Sequence, residues 1–271
     1  FKGVFSPCIF KTNFLNKINC DIQNKRKIVV HMHWIGNLMS IEQIGMIKRP
    51  IVWTLHDMWG FCGAEHISYD NRWKEGYHKG NRPIGESGFD LNRWTWKRKN
   101  KYWKKPIQII APSDWMKDNI NKSLLMRKWP VSVIPNPINI NIWSPINREN
   151  ARDNLSLPKN LDLILFGSAS GSKSFHKGFD LLQEAIIKME NSKNTRQIGL
   201  VIFGQSKPEN LPKYSFPVFH LGYLSDSISL RTAYSAADLL VIPSRVDNLP
   251  NMGVEANACG TPIVAFNTAG L

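Results

Sequence analysis

Residues 244–266 read Ser-Arg-Val-Asp-Asn-Leu-Pro-Asn-Met-Gly-Val-Glu-Ala-Asn-Ala-Cys-Gly-Thr-Pro-Ile-Val-Ala-Phe. An apolar run, Leu239 to Pro243, leads into this stretch, and a second, Ile263 to Phe266, closes it. Between them stand an acid, Asp247, then Pro250, then a span without Lys or Arg that carries one carboxylate, Glu255. Pro is pre-set for a first helical turn, and Gly260 followed by Pro262 is a stop signal. The pattern predicts strand, loop, helix, strand, the unit of a parallel sheet whose ligands sit at the carboxyl ends of its strands. Asp247 and Glu255 bracket the predicted helix start, where free N–H groups and the positive dipole end favour a phosphate. Amides for phosphate and two carboxylates that accept from hydroxyls suit a sugar nucleotide. A surface acid on a loop and another on a solvated helix face is the bland alternative, and the residues alone leave both open.

Further strands are predicted at Ile28 to His33, Ile51 to Leu55, Ile107 to Ala111 and Ser132 to Ile134. In the second half they are predicted at Leu163 to Phe166, Gly199 to Phe203 and Val218 to Leu221, with helices over Gly178 to Met189 and Ile228 to Ala237. The alternation argues for α/β structure with parallel sheets. Pro135-Asn136-Pro137, running on to Pro145, is turn-rich and reads as a hinge between two such units.

The chain has 271 residues, 42% of them hydrophobic, enough for one large core or two modest ones. No run of about 18 uncharged apolar residues exists, which excludes a membrane-spanning helix in this sequence. Cys8, Cys20, Cys62 and Cys259 lack Cys-x-x-Cys pairing and read as reduced thiols of a cytoplasmic protein. A formal net charge of +14 predicts anionic partners: nucleotide phosphates, an anionic membrane surface or nucleic acid. Lys97 to Lys105, inside a Trp-rich stretch from Trp94 to Trp103, reads either as a basic surface patch or as a helix whose tryptophans face a core. Nucleic acid is the less favoured partner.

Three other places carry chemistry. Phe166-Gly167-Ser168-Ala169-Ser170-Gly171-Ser172-Lys173 runs on to His176-Lys177-Gly178 and then a helix, and a Lys closing a small-residue loop can neutralise a diphosphate. The spacing is not that of a Walker loop. His56 in Thr54-Leu55-His56-Asp57 follows a strand directly, so it sits at a carboxyl end, where Asp57 can orient its imidazole. His31-x-His33, with His56, Asp57 and His66, raises a metal site, but no convincing third and fourth ligand follows, so no metal is expected.

These elements resemble the family 4 glycosyltransferases, retaining enzymes of the GT-B fold, in which two Rossmann-like parallel-sheet domains face a cleft. The segment Asp247 to Glu255 looks like the family's acid-x7-Glu signature, with Asp-Asn-Leu-Pro at 247–250 where many members read Glu-x-Phe-Gly. The resemblance implies that Glu255 holds the donor's ribose hydroxyls and that Asp247 reaches the transferred sugar. It implies that Lys177, supported by Lys173, contacts the donor phosphates and that His56 lies near the reaction centre. Pro250 lacks an N–H, so amide contacts to phosphate pass to Asn251 and Met252. Gly222 and Tyr223 match the position that presents backbone to the nucleobase. The loops at 63–66 and 75–83 look like acceptor-side loops, with no roles assigned.

The implied domains are residues 1–134 on the acceptor side, a hinge at 135–146 and a donor-nucleotide-binding domain at 147–271. The implied function is transfer of a sugar from a nucleotide-diphosphate sugar to a saccharide or lipid-linked acceptor, in surface polysaccharide or glycoconjugate synthesis, without metal or cofactor. The expected location is the cytoplasm, at the inner face of the membrane. A sugar-nucleotide epimerase, a phosphorylase, and a non-catalytic basic nucleic-acid-binding module are the alternatives. The family's first strand and its Gly-rich loop should precede Ile28, where the sequence is basic and Asn-rich, and only five residues follow Phe266. The chain is therefore expected to be the middle of a longer enzyme, both domains incomplete.

Overall fold

The structure is a computed structural model that describes residues 5–20, 28–36, 38–167, 175–190, 197–205 and 216–271. The chain divides between Pro135 and Asn136 into two compact units.

The first unit holds α1 (Phe14–Cys20), β1 (Val30–Met32), α2 (Ile41–Gly45), β2 (Ile51–Thr54), α3 (Arg72–Glu75), α4 (Leu91–Tyr102), β3 (Gln108–Ala111), α5 (Asp114–Lys122) and β4 (Val131–Val133). Its four strands are all parallel, in the order β1-β2-β3-β4. Short polar side chains start the helices: Ser40 and Gln43 form a reciprocal cap on α2, Asp90 caps α4 and Ser113 caps α5. Trp53, on β2, meets Trp59 and Trp103 edge-on at ring separations of 6.1 and 5.4 Å, the arrangement that ring quadrupoles favour.

Helix α4 resolves the two readings of the Lys/Trp stretch. Trp96, Lys99 and, just beyond the helix, Trp103 are buried, whereas Trp94, Lys97 and Lys101 are exposed. The sequence treats Lys99 as one more surface charge, but the structure seals it completely, at 0% exposure. Its ammonium donates to the carbonyl oxygens of Trp59, Cys62 (3.1 Å) and Gly63 (2.6 Å) and lies 3.8 Å from the centre of the Trp59 ring. Burying an ammonium is costly unless its donors are met, and here three carbonyls and an aromatic face meet them. Burial still pulls its pKa down to about 7. The bonds anchor the chain just beyond β2 to α4.

The second unit holds α6 (Arg148–Asn154), β5 (Asp162–Gly167), α7 (Phe179–Glu190), β6 (Ile198–Phe203), β7 (Val218–Gly222), α8 (Ser227–Ala236), β8 (Leu239–Ile242), α9 (Asn251–Ala258) and β9 (Ile263–Ala265). Five parallel strands lie in the order β7-β6-β5-β8-β9. The central strand β5 is apolar from Leu163 to Phe166 because both faces are covered there. Leu163 and Leu165 join the core on one face with Tyr234, Leu240 and Ala256, while Ile164 and Phe166 join Phe179, Leu182 and Ile186 on the other. Cys8, Cys62 and Cys259 are buried thiols outside any disulfide, Cys259 at the end of α9.

Part of the segment read as a hinge is fastened to α8. Arg231 donates to the Ser144 carbonyl at 2.6 Å, the Ile146 N–H donates to Ser235 Oγ, and Trp143 packs on the Tyr234 ring.

Candidate functional site

The chain runs outward from β5 to β6 and β7, then returns to β8 on the other side of β5. In such sheets the ligand crevice lies at the carboxyl ends of the two strands where the direction reverses. The loops that leave β5 and β8 carry Lys177 and Asp247, and the structure brings these two side chains together. Lys177 Nζ donates to Asp247 Oδ2 at 2.6 Å, with both side chains partly exposed. Asp247 also accepts from the Asn248 N–H and lies 3.5 Å from Ser244 Oγ. The residues read as a phosphate contact and a sugar contact are thus ion partners of each other.

Gly178 explains how Lys177 reaches this point. Its φ is +66°, a conformation L residues seldom adopt, and a Cβ there would stand 1.9 Å from the Pro243 carbonyl oxygen. Only glycine lets this turn lie against the end of β8. Arg245, which sequence reasoning missed, fastens the same turn. Its guanidinium forms a two-armed ion pair with Asp180 at 2.8 and 2.6 Å, donates to the Phe175 carbonyl at 2.7 Å and lies over the Phe175 ring. Its backbone N–H donates to the His176 carbonyl.

Helix α9 begins beside this pair. Side chains cap α2, α4, α5, α6 and α8, whereas Pro250 at the N-cap of α9 offers none. The helix start, with the amides of Asn251 and Met252, therefore has no side-chain cap from its N-cap residue. Asn251 Oδ1 accepts from the Asn136 amide at 2.8 Å, and Met252 packs against the core. Glu255, one turn further on, is half-buried, and its Oε2 accepts from the Tyr234 hydroxyl at 2.8 Å. Burial raises the Glu255 pKa, and the Tyr234 bond opposes the shift. Tyr234 is itself buried and its hydroxyl is pushed well above its ordinary range, chiefly by burial and then by the adjacent carboxylate. The two acids are not the solvated side chains of the bland alternative. Gly222, at φ +70°, ends β7 with its carbonyl taken by the Gly204 N–H, and Tyr223 beside it is exposed. Lys173 lies outside the described residues.

In the first unit, His33 and His56 follow the carboxyl ends of neighbouring strands β1 and β2. His33 Nδ1 and His56 Nε2 are 3.0 Å apart, so one proton lies between the two rings whichever donates. Both pKa values are lowered, first by burial and then by a neighbouring imidazole: His31 for His33, and His33 for His56, where Asp57 works in the opposite sense. The expected pairing of Asp57 with the His56 ring is corrected. Asp57 caps the turn Met58–Gly60, accepting from the Trp59 N–H at 2.9 Å, and its other oxygen takes His66 Nδ1 at 2.7 Å. Ser6 Oγ meets His66 Nε2 at 2.9 Å, so both nitrogens of that ring are engaged. Glu65 and Tyr77, from the loops without assigned roles, are buried and bonded to each other near Lys99. Among the described residues no cluster of His, Cys, Asp or Glu is arranged to hold a metal ion.

Two parallel-sheet units, the second with an acid-base pair at its switch point, define the two-domain GT-B class. The family model described as Glycosyltransferase Family 4 matches residues 9–142, and the one described as Glycosyl transferases group 1 matches residues 162–271. The chain belongs to this glycosyltransferase family. It is 28% identical over 154 residues to a D-inositol 3-phosphate glycosyltransferase of Streptosporangium roseum, covering 52% of this chain and 35% of that protein. It is 29% identical over 177 residues to an uncharacterized glycosyltransferase of Methanocaldococcus jannaschii, covering 60% and 43%. The fold is shared with sucrose-phosphate synthase of Thermosynechococcus elongatus (TM-score 0.63, 17% identity, 95% of this chain and 60% of that one). It is also shared with Anabaena HepE in complex with UDP and glucose (TM-score 0.59, 17% identity, 96% and 64%). The chain thus matches less than half the length of these curated relatives.

Proposed function

We propose that this chain forms part of a retaining glycosyltransferase that moves a sugar from a nucleoside-diphosphate sugar to a saccharide or lipid-linked acceptor in surface polysaccharide or glycoconjugate synthesis. The observation that carries the reading is the meeting of Lys177, Asp247 and the uncapped start of α9 at the β5/β8 switch point, with Glu255 one turn along. HepE, which shares the fold, binds UDP and glucose, and this supports a nucleotide donor.

In this reading the ribose hydroxyls donate to Glu255, and a hydroxyl of the transferred sugar donates to Asp247. The diphosphate displaces Asp247 from Lys177 and takes the Asn251 and Met252 amides. The bond from the sugar's C1 to the diphosphate oxygen breaks as C1 bonds to the acceptor oxygen. The acceptor's proton passes to the leaving oxygen on the same face, which preserves the anomeric configuration. Preorganised donors facing the departing charge supply the catalysis. His56 is assigned to the reacting sugar.

The exposed Trp94, Lys97 and Lys101 of α4, with Lys104 and Lys105 beyond it, support attachment to an anionic membrane at the cytoplasmic face. Calorimetric titration with UDP, GDP and ADP tests the donor site: one nucleotide binds the parent, and Lys177→Ala and Glu255→Ala each weaken it. Equal binding by parent and both variants refutes the assignment. Product analysis by NMR, with and without acceptor, separates retaining transfer from epimerisation and phosphorolysis.

A further inference from the structure

Residues 82–94, Arg-Pro-Ile-Gly-Glu-Ser-Gly-Phe-Asp-Leu-Asn-Arg-Trp, form a loop and the first turn of α4, and carry three large apolar side chains into solvent. Ile84 is fully exposed, Phe89 is 71% exposed and Trp94 is 37% exposed. Exposed hydrophobics scattered singly are ordinary, but three so close together mark a contact surface. We infer that this loop is an apolar wedge that enters an anionic lipid bilayer, with Ile84, Phe89 and Trp94 at the boundary of headgroups and acyl chains and the lysines of α4 on the lipid phosphates. The inference deepens the membrane reading above by naming the element that inserts. It rests on that reading for the anionic bilayer and is independent of the donor site.

The wedge is built in one shape. Pro83 to Glu86 form a β-turn in which the Glu86 N–H donates to the Pro83 carbonyl, and Gly85, at the third position, has φ +93°. Such a turn sets Ile84 at its corner. The Arg82 guanidinium donates to the carbonyls of Ser87 and Gly88, both at 2.9 Å, and closes the loop across its base. A Cβ on Gly85 or Gly88 would meet nothing within 4 Å, so the tip stands clear of its surroundings. Phe89 meets Trp94 edge-on at 6.0 Å. The Arg98 guanidinium lies 4.5 Å from the centre of the Trp94 ring and is itself tied to Glu42 at 2.8 Å. Side chains fixed before contact save the ordering cost of binding.

Charge selects the partner. Glu86 lies 3.6 Å from both Arg72 and Arg82, and Asp90 lies 3.9 Å from both, so the acids of the loop are matched within it. From Leu91 to Lys105 the sequence has no Asp or Glu. Trp94, Lys97 and Lys101 stand at i, i+3 and i+7, on one exposed face of α4, and the exposed Lys104 and Lys105 follow it. An apolar, aromatic tip beside lysines with no acid among them fits a surface that is hydrocarbon within and phosphate at its rim. A single-stranded nucleic acid asks instead for aromatic faces on which bases stack, and Ile84, the most exposed of the three, offers none.

Co-sedimentation of the full chain tests this with vesicles of phosphatidylcholine alone and of equal parts phosphatidylcholine and phosphatidylglycerol, with a single-stranded RNA as a separate arm. The chain binds the mixed vesicles, and binds phosphatidylcholine alone about tenfold more weakly or less. Ile84→Ser and Phe89→Ser, which leave the charge unaltered, each weaken binding to the mixed vesicles about fivefold or more. The Ile84 side chain is fully exposed, so Ile84→Ser keeps the parent's thermal midpoint and the test stays decisive if Phe89→Ser unfolds. Lipids brominated along the acyl chain quench the parent's tryptophan emission, and Trp94→Phe reduces that quenching. Equal binding by parent and both variants, or no quenching, overturns the wedge and leaves attachment by charge standing. Equal binding to the two kinds of vesicle overturns the call for anionic lipid and the inference with it. Failure of the parent to bind either vesicle, or binding of the RNA in place of vesicles, overturns the wedge and the membrane reading together.

Discussion

Glu255→Gln separates what the carboxylate does for the fold from what it does for a ligand. The Gln carbonyl can still accept from the Tyr234 hydroxyl, which reaches Oε2 at 2.8 Å, so the local packing survives. Hydrogen bonds to a charged group contribute about 1.5–3 kcal/mol, against about 0.5–1.5 for neutral pairs. If two ribose hydroxyls donate to Glu255, loss of its charge costs about 2–3 kcal/mol, or about 30- to 150-fold in affinity. The unliganded protein moves the other way. Burial raises the Glu255 pKa above its ordinary 4.5, so the folded state holds this proton more tightly than the unfolded chain. Stability therefore falls as pH rises from 4.5 through the folded pKa, and above it the charge costs its full amount. Glu255→Gln should melt higher than the parent at pH 7.5 and lose part of the pH dependence between pH 4.5 and neutrality. Calorimetric titration with UDP and thermal unfolding across that range read both effects. A Gln variant that binds UDP within about threefold of the parent would refute the ribose contact.

Asp247→Asn releases Lys177 from its ion partner, so UDP binds about two- to fivefold tighter by calorimetry while transfer from a UDP-sugar slows. Lys99→Met leaves three buried carbonyls without their donor and costs about 3 kcal/mol or more, read as a lower urea midpoint. The lowered pKa values of His33 and His56 mean that the unfolded chain takes up these protons first, near 6.5, so stability falls as pH drops below that value. His33→Asn removes one of the two groups and the repulsion on the other. It should flatten this acid dependence and move the His56 titration, followed by NMR, upward toward 6.5.

Most of the fold was legible. Nearly continuous apolar runs such as Leu163 to Phe166 and Gly199 to Phe203 fall on β5 and β6, because strands covered on both faces have no polar alternation to blur them. Gly178, Pro250 and Gly260 punctuate the helices as their backbone chemistry requires. The side-chain partners were another matter. Tyr234 and Glu255 are 21 residues apart and Lys177 and Asp247 are 70 apart, and no spacing rule joins residues on different elements. Asp57 was misread as the partner of its neighbour because capping the Met58–Gly60 turn swings its carboxylate to Trp59 and His66. Lys99 was misread because a charge in a basic run looks like surface, and only the register of α4 turns it inward.

The contact of Gly178 with the Pro243 carbonyl, with the Arg245 clamp beside it, has an evolutionary consequence. The lysine-bearing turn is mounted on the end of β8, not on β5, the strand that precedes it in the chain. A change at Gly178 or Arg245 therefore moves the lysine at once, so any lineage that keeps the lysine in place also keeps its mount.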